Sequence, residues 1–313
     1  MILAEIKKTL CGHKGIIVIL LLLIYNGYWF YSTNEIFIEH EVYQEAAKCY
    51  EKYEGKIDRE VIDEVRKDYK KVGDGGHIGA AYRGFIGEAE NQLLSSDEPY
   101  VVYRWGWNAL VYNPRTNTPL VMFGLIFSVM IFALDSDSKV RNLLNTSFCG
   151  RRNLVISRYL VYSGLCVVFV LAQGLLELVM ADRLIGVGCP FAPIQSIIES
   201  SPMNISLIGA YGITLLFKLV GLLMGGIVVC FFASMLRSMY LSVVVSVMIF
   251  FEFYFFSFIY DKPYLLPEHL FCSYAYLDGT DIKKPLIVTF VVMVLSFAGA
   301  CIFNSEKSRR KLI

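Results

Sequence analysis

The chain has 313 residues, of which 56% are hydrophobic and 14% aromatic, with a mean hydropathy of +0.52. A soluble domain is usually nearer ~45–50% apolar, and here the excess lies in blocks, which points to a polytopic membrane protein and away from a rich soluble core. The net charge of +1 says nothing about partners by itself; where the charges lie is more informative.

Residues 1–14 form a short basic segment carrying Lys7, Lys8 and Lys14. The first apolar run, 15–32, follows it and ends in the bulky "YNGYWFYS", with no small-residue cleavage site. It therefore reads as an uncleaved signal anchor with an interfacial aromatic belt.

Residues 33–116 hold 16 acidic against 11 basic residues and have the composition of a folded insert. Helical spacing predicts one helix over 36–54, ended by Gly55, and a second that starts at Asp58 as N-cap. Ile57 and Ile62 would act there as a hydrophobic staple, and the helix would run to Gly73. A third and poorer helix is expected over 79–94, weakened by Gly79, Gly84 and Gly87. The stretch "PYVVYRWGW" at 99–107 reads as short, β-prone and close to the membrane surface. The insert is expected to sit on the first and second spans. Its acidic excess could attract a cationic ligand, or be no more than a solvated helical surface.

Five more apolar runs follow at 117–134, 154–181, 205–232, 239–259 and 285–303. The run at 117–134 is short for a hydrocarbon core ~30 Å thick, and Pro119 suits its first helical turn. Short-loop Lys and Arg concentrate in 1–14, 135–153, 234–238 and 304–313, which predicts six spans with both termini on the cytoplasmic side. The tail 304–313 would meet anionic head groups. The fold class expected is thus all-α: six transmembrane helices and a small, mainly helical extracellular insert.

Motifs for covalent chemistry are missing. There is no P-loop, no H-E-x-x-H and no G-x-S-x-G, and no Cys/His spacing suggests zinc, so neither an enzymatic activity nor a resident cofactor or metal is expected. Three charges lie deep in the apolar runs: Glu177, Lys218 and Glu252. Such residues are functional candidates by default. Lys218 and Glu252 could pair face to face, line a translocation path, or leave Lys218 to snorkel along its stem. Gly221 and Gly225 form a G-x-x-x-G that allows close helix packing. Cys189 and Cys272 fall in the two short external loops, where they could form a disulfide or remain free thiols.

The short basic N-terminal segment, the six runs and the basic loop "LDSDSKVRNLLNTSFCGRRNLVISRY" between runs two and three resemble the permease subunits of ABC-2-type transporters. The loop offers Asp135 or Asp137, then Arg141 and Leu144, the turn "TSFCG", Arg152 and finally Arg158; Val140 stands where a Gly often follows the acidic residue. The resemblance covers 1–32 and 117–313. Inserts such as 33–116 occur in Gram-positive permeases that look like antimicrobial-peptide exporters or immunity subunits. It implies that 135–153 forms a coupling loop, with Arg141, Leu144, Arg151 and Arg152 contacting a separate ABC ATPase subunit that binds ATP and Mg2+. A second permease copy or paralogue would complete the assembly in a bacterial plasma membrane. The substrate implied is a peptide, lipid or drug-like molecule. A non-transporting sensor or assembly protein whose extracellular domain binds a ligand is the alternative.

Overall fold

The computed structural model describes residues 2–34, 36–95, 99–111, 117–133, 150–236, 238–259, 277–279 and 283–309. It is predominantly helical. Helix α1 (Ile2–Lys7) runs into a π-helical turn at Lys8–Gly12. Lys14, in the left-handed region at φ 56°, then turns the chain into α2 (Gly15–Thr33). Gly15 is required at that corner, since a Cβ there would lie 2.6 Å from the Thr9 carbonyl oxygen.

The insert begins with α3 (Ile36–Glu51) and passes through β1 (Gly55–Lys56) into α4 (Arg59–Val72). Asp58 caps α4 as expected, its carboxylate accepting from the Val61 N–H at 2.9 Å. Ile57 and Ile62 are both buried, in keeping with the staple, and Gly73 at φ 78° ends the helix. Helix α5 (Gly76–Ser95) is longer than its glycines suggest. Propensity alone puts a mid-helix glycine at about 1 kcal/mol below alanine, but tertiary packing offsets that here. At Gly84 a Cβ would meet the Tyr50 hydroxyl at 3.4 Å, while Phe85 and Ala89 of the same helix are fully buried.

The β-prone stretch 99–107 divides between a short strand and the start of a helix. Only β2 (Tyr100–Val101) pairs with β1, antiparallel, and α6 (Arg104–Val111) starts three residues later.

Helix α7 (Thr118–Ser128), with Pro119 in its first turn, continues as a π-helical turn over Val129–Ala133. Then come α8 (Gly150–Leu184), α9 (Leu207–Met235), α10 (Met239–Ile259) and α11 (Lys283–Arg309). Three helices, Gly15–Thr33, Val155–Leu184 and Leu207–Met235, are long and apolar enough to cross a membrane; Thr118–Ala133, Met239–Phe250 and Leu286–Ile302 are shorter apolar helices. Leu160, Val168, Leu171, Leu175 and Val179 stand exposed along α8 at helical spacing. An apolar stripe of that extent is a liability in water and the expected surface in lipid.

Two apolar clusters hold the fold. One joins α2, α7, α8, α9 and α10 around Phe123, which stacks on Phe169 with ring centroids 4.0 Å apart. There Gly124 and Gly225 both receive the ring of Phe250, and Gly226 receives that of Tyr162. The other cluster runs from the insert (Tyr50, Val65, Phe85, Trp107) into the end of α8, the connection 185–206 and the start of α9. The insert is therefore seated on the end of α2, in keeping with the expected place on the first run, and on the α8–α9 junction, where the expectation had the second run. The cause is Trp107, whose indole N–H donates to the Gly188 carbonyl at 2.7 Å, and Gly106, where any Cβ would overlap the Gly186 carbonyl oxygen.

Candidate functional site

The apolar sequence of α8 is broken by Gln173, Gly174 and Glu177, and that of α9 by Tyr211, Thr214 and Lys218. Gly174 explains why these two sets meet. It leaves room for Leu215, whose Cδ1 lies 2.7 Å from where a Cβ would be, and the Tyr211 hydroxyl donates to the Gly174 carbonyl at 2.9 Å. The helices approach closely enough for Lys218 Nζ to lie 3.6 Å from Glu177 Oε2, with side chains 3% and 1% exposed. Gln173 Nε2 donates to the other carboxylate oxygen at 2.8 Å.

Isolated charges in the bilayer interior cost roughly 2.5–3.5 kcal/mol each by insertion scales and more by other estimates. Mutual neutralisation plus the amide donor makes this burial tolerable. Lys218 thus meets Glu177, two turns before the end of α8; the pairing with Glu252 weighed from the sequence involves a side chain outside the described ones. Glu252 is described only as helical backbone in α10.

Near this pair lies a residue that the search for charges passes over. Asn26 of α2 is 1% exposed, and neither of its amide atoms has a hydrogen-bond partner among the described residues. Its neighbour Gly27 faces Met180 and Leu176, so Asn26 stands level with the polar turn of α8. An asparagine inside the run "LLLIYNGYWF" is the signal that could have found it, because amides in hydrocarbon are costly as well.

At the other end of the bundle, Glu5 of α1 is buried. Its carboxylate lies 3.7 Å from Arg158 Nε of α8 and 3.9 Å from Lys8 Nζ. Of the residues assigned to the coupling loop, Arg141 and Leu144 lie outside the described residues, and Arg151 and Arg152 are described only as backbone of the first turn of α8. Gly221 is buried in α9, and Gly225 holds Phe250 as above.

The seam between insert and α8 carries a third polar group. Cys189 is a free thiol, one of the two states weighed for it, and Cys272 lies outside the described residues. The glycine-bearing turn 186–188 folds Cys189 back onto the connection after α3, where it bonds Glu54. Burial pushes the Glu54 carboxyl above its usual range, against the lowering effect of bonds from the Tyr103 N–H and Cys189. Burial, and then Glu54, likewise raise the Cys189 thiol. Among the described residues no three His, Cys, Asp or Glu side chains converge as a metal site would need.

No protein-family model, curated protein or solved structure matches the chain. The functional reading therefore rests on these residues and on the resemblance of the sequence pattern.

Proposed function

We propose that the chain is the membrane-spanning permease subunit of an ABC-2-type transporter in a bacterial plasma membrane. Six helices would cross the bilayer with both ends inside. A separate ATPase subunit would bind ATP and Mg2+, and a second permease copy or paralogue would complete the pathway for a peptide, lipid or drug-like substrate.

The observation that carries this reading is the Glu5–Arg158 ion pair. The side chains are 11% and 14% exposed, so the pair is shielded from most screening. It ties the N-terminal helix to α8 about two turns after that helix begins at Gly150. An amphipathic helix and a cationic loop fixed to one helix would form a single cytoplasmic body. Such a body can pass the movement of a docked ATPase into the bundle, which a loose retention signal cannot do.

The test is Leu144→Asp in the full chain. Membrane insertion should survive, because the loop's basic residues still hold the orientation, while co-purification of the ATPase should be lost. Undiminished co-purification would reduce the loop to a topology signal and remove the reading.

A further inference from the structure

A cavity of about 410 Å3 opens where the insert meets the end of α8, a volume within the range of small-molecule sites, which favour such junctions. Its base is Ala47, Tyr103, Ile185 and Val187. Gly186, at φ 102°, shapes it, since a Cβ there would lie 2.6 Å from the Cβ of Ala47. The charged residues of the wall divide into two kinds. Glu54 is already engaged by Tyr103 and Cys189 and serves the seam. Lys48 and Glu51 of α3, with Asp182 and Arg183 of α8, also line the cavity. None of these four has an opposite charge within 4.0 Å among the described residues.

Lys48 and Glu51 are three residues apart on α3 with the base first, the less favoured order for a helical ion pair, and they are not paired with each other, unlike Asp68 and Lys71 on α4 at 2.7 Å. Here two carboxylates and two cations stand on facing elements with no charge partner. The helix ends add a second feature. Both α3 and α8 terminate at the cavity, so the partial negative charge of each C-terminus reinforces Glu51 and Asp182 at the site of an incoming ammonium. The four side chains are neutral in sum, so an ion of either single sign would leave two of them unanswered.

We propose that this cavity binds a zwitterionic ligand of the amino-acid and short-peptide class, with its ammonium at Glu51 and Asp182 and its carboxylate at Lys48 and Arg183. The proposal does not rest on the transporter reading. A permease could use the site to recognise cargo or effector, and a sensor could use it as its receptor face.

The experiment is isothermal titration of the purified full chain in nanodiscs with trialanine, N-acetyl-trialanine and trialanine amide, backed by a panel of free amino acids and dipeptides. Trialanine should bind, and capping either end should weaken it at least about tenfold, the scale of one charge-assisted contact. In Glu51→Gln/Asp182→Asn, capping the amine should no longer matter; in Lys48→Gln/Arg183→Gln, capping the carboxylate should no longer matter. All four residues are exposed, so both variants should keep the wild-type Tm, which is measured alongside. No binding by trialanine or any panel member up to about 10 mM would overturn the proposal. So would equal binding of the capped and free peptides, or wild-type binding in both double variants.

Discussion

Lys218 of α9 and Glu177 of α8 face each other at 3.6 Å with almost no solvent exposure, an ion pair buried between two helices. Removing either one alone takes the opposite charge of this pair away from the other. Lys218→Met or Glu177→Gln should therefore destabilise the chain by about 3–5 kcal/mol, on the order of 10 °C in the detergent-solubilised Tm for a chain of this size. The double replacement by Met and Leu should recover most of that loss, because two apolar side chains of similar volume leave nothing unpaired. Thermal shifts that simply add would show that the two residues are energetically independent.

The packing glycines separate two physical roles that look alike in sequence. At Gly106 any Cβ would overlap the Gly186 carbonyl oxygen, whereas at Gly87 a Cβ would meet nothing within 4 Å. Gly106→Ala should push the turn 186–188 off the insert and weaken the Trp107–Gly188 bond, costing about 1–3 kcal/mol as overpacking does. Gly87→Ala should stabilise the chain by up to about 1 kcal/mol through helix propensity. A parallel thermal series on the two variants checks both signs, and equal shifts would contradict the seating of the insert on the α8–α9 junction.

That contrast also shows where local reasoning stops. Asp58, Ile57 and Ile62 announce the start of α4 because capping and stapling act within a few residues, and the structure has all three in those roles. The apolar runs are legible for the same reason, since length and hydropathy are summed along one segment. Gly84 and Gly106 cost helix propensity locally and are explained only by Tyr50 and Gly186, each dozens of residues away. That Lys218 meets Glu177 is beyond the reach of the sequence on the same ground. Depth along a helix can be counted from sequence, but which face meets which neighbour depends on Gly174 letting α8 and α9 close together. Asn26 and Glu5 escaped because neither belongs to a motif; burial alone makes them notable.

The last prediction concerns pH and the insert. Glu88 of α5 is half-buried beside Arg104 of α6, with Nε 3.6 Å from its carboxylate, and Arg104 also reaches Glu199 at 3.5 Å. Burial dominates and pushes the Glu88 carboxyl above its usual range, while Arg104 and a bond from the Tyr50 hydroxyl pull it part of the way back. A raised native value means that the folded chain holds this proton when the unfolded chain, titrating near about 4.3, has released it. Stability from Glu88 is then fully present below about pH 4.3 and is lost as pH rises through the native value. Glu54, also raised, adds a slope of the same sign, and Asp68, held low by Lys52 and Lys71, adds one of opposite sign at more acid pH. Subtracting the Tm-versus-pH curve of Glu88→Gln from that of the wild type cancels both. The difference should fall with rising pH above about 4.3 and level off once Glu88 is ionised in the native state. Arg104→Gln removes the cation that lowers Glu88, so its own curve should fall further and level off at higher pH. A flat difference curve, or an Arg104→Gln curve that runs parallel to the wild type, would mean that burial does not govern this carboxyl.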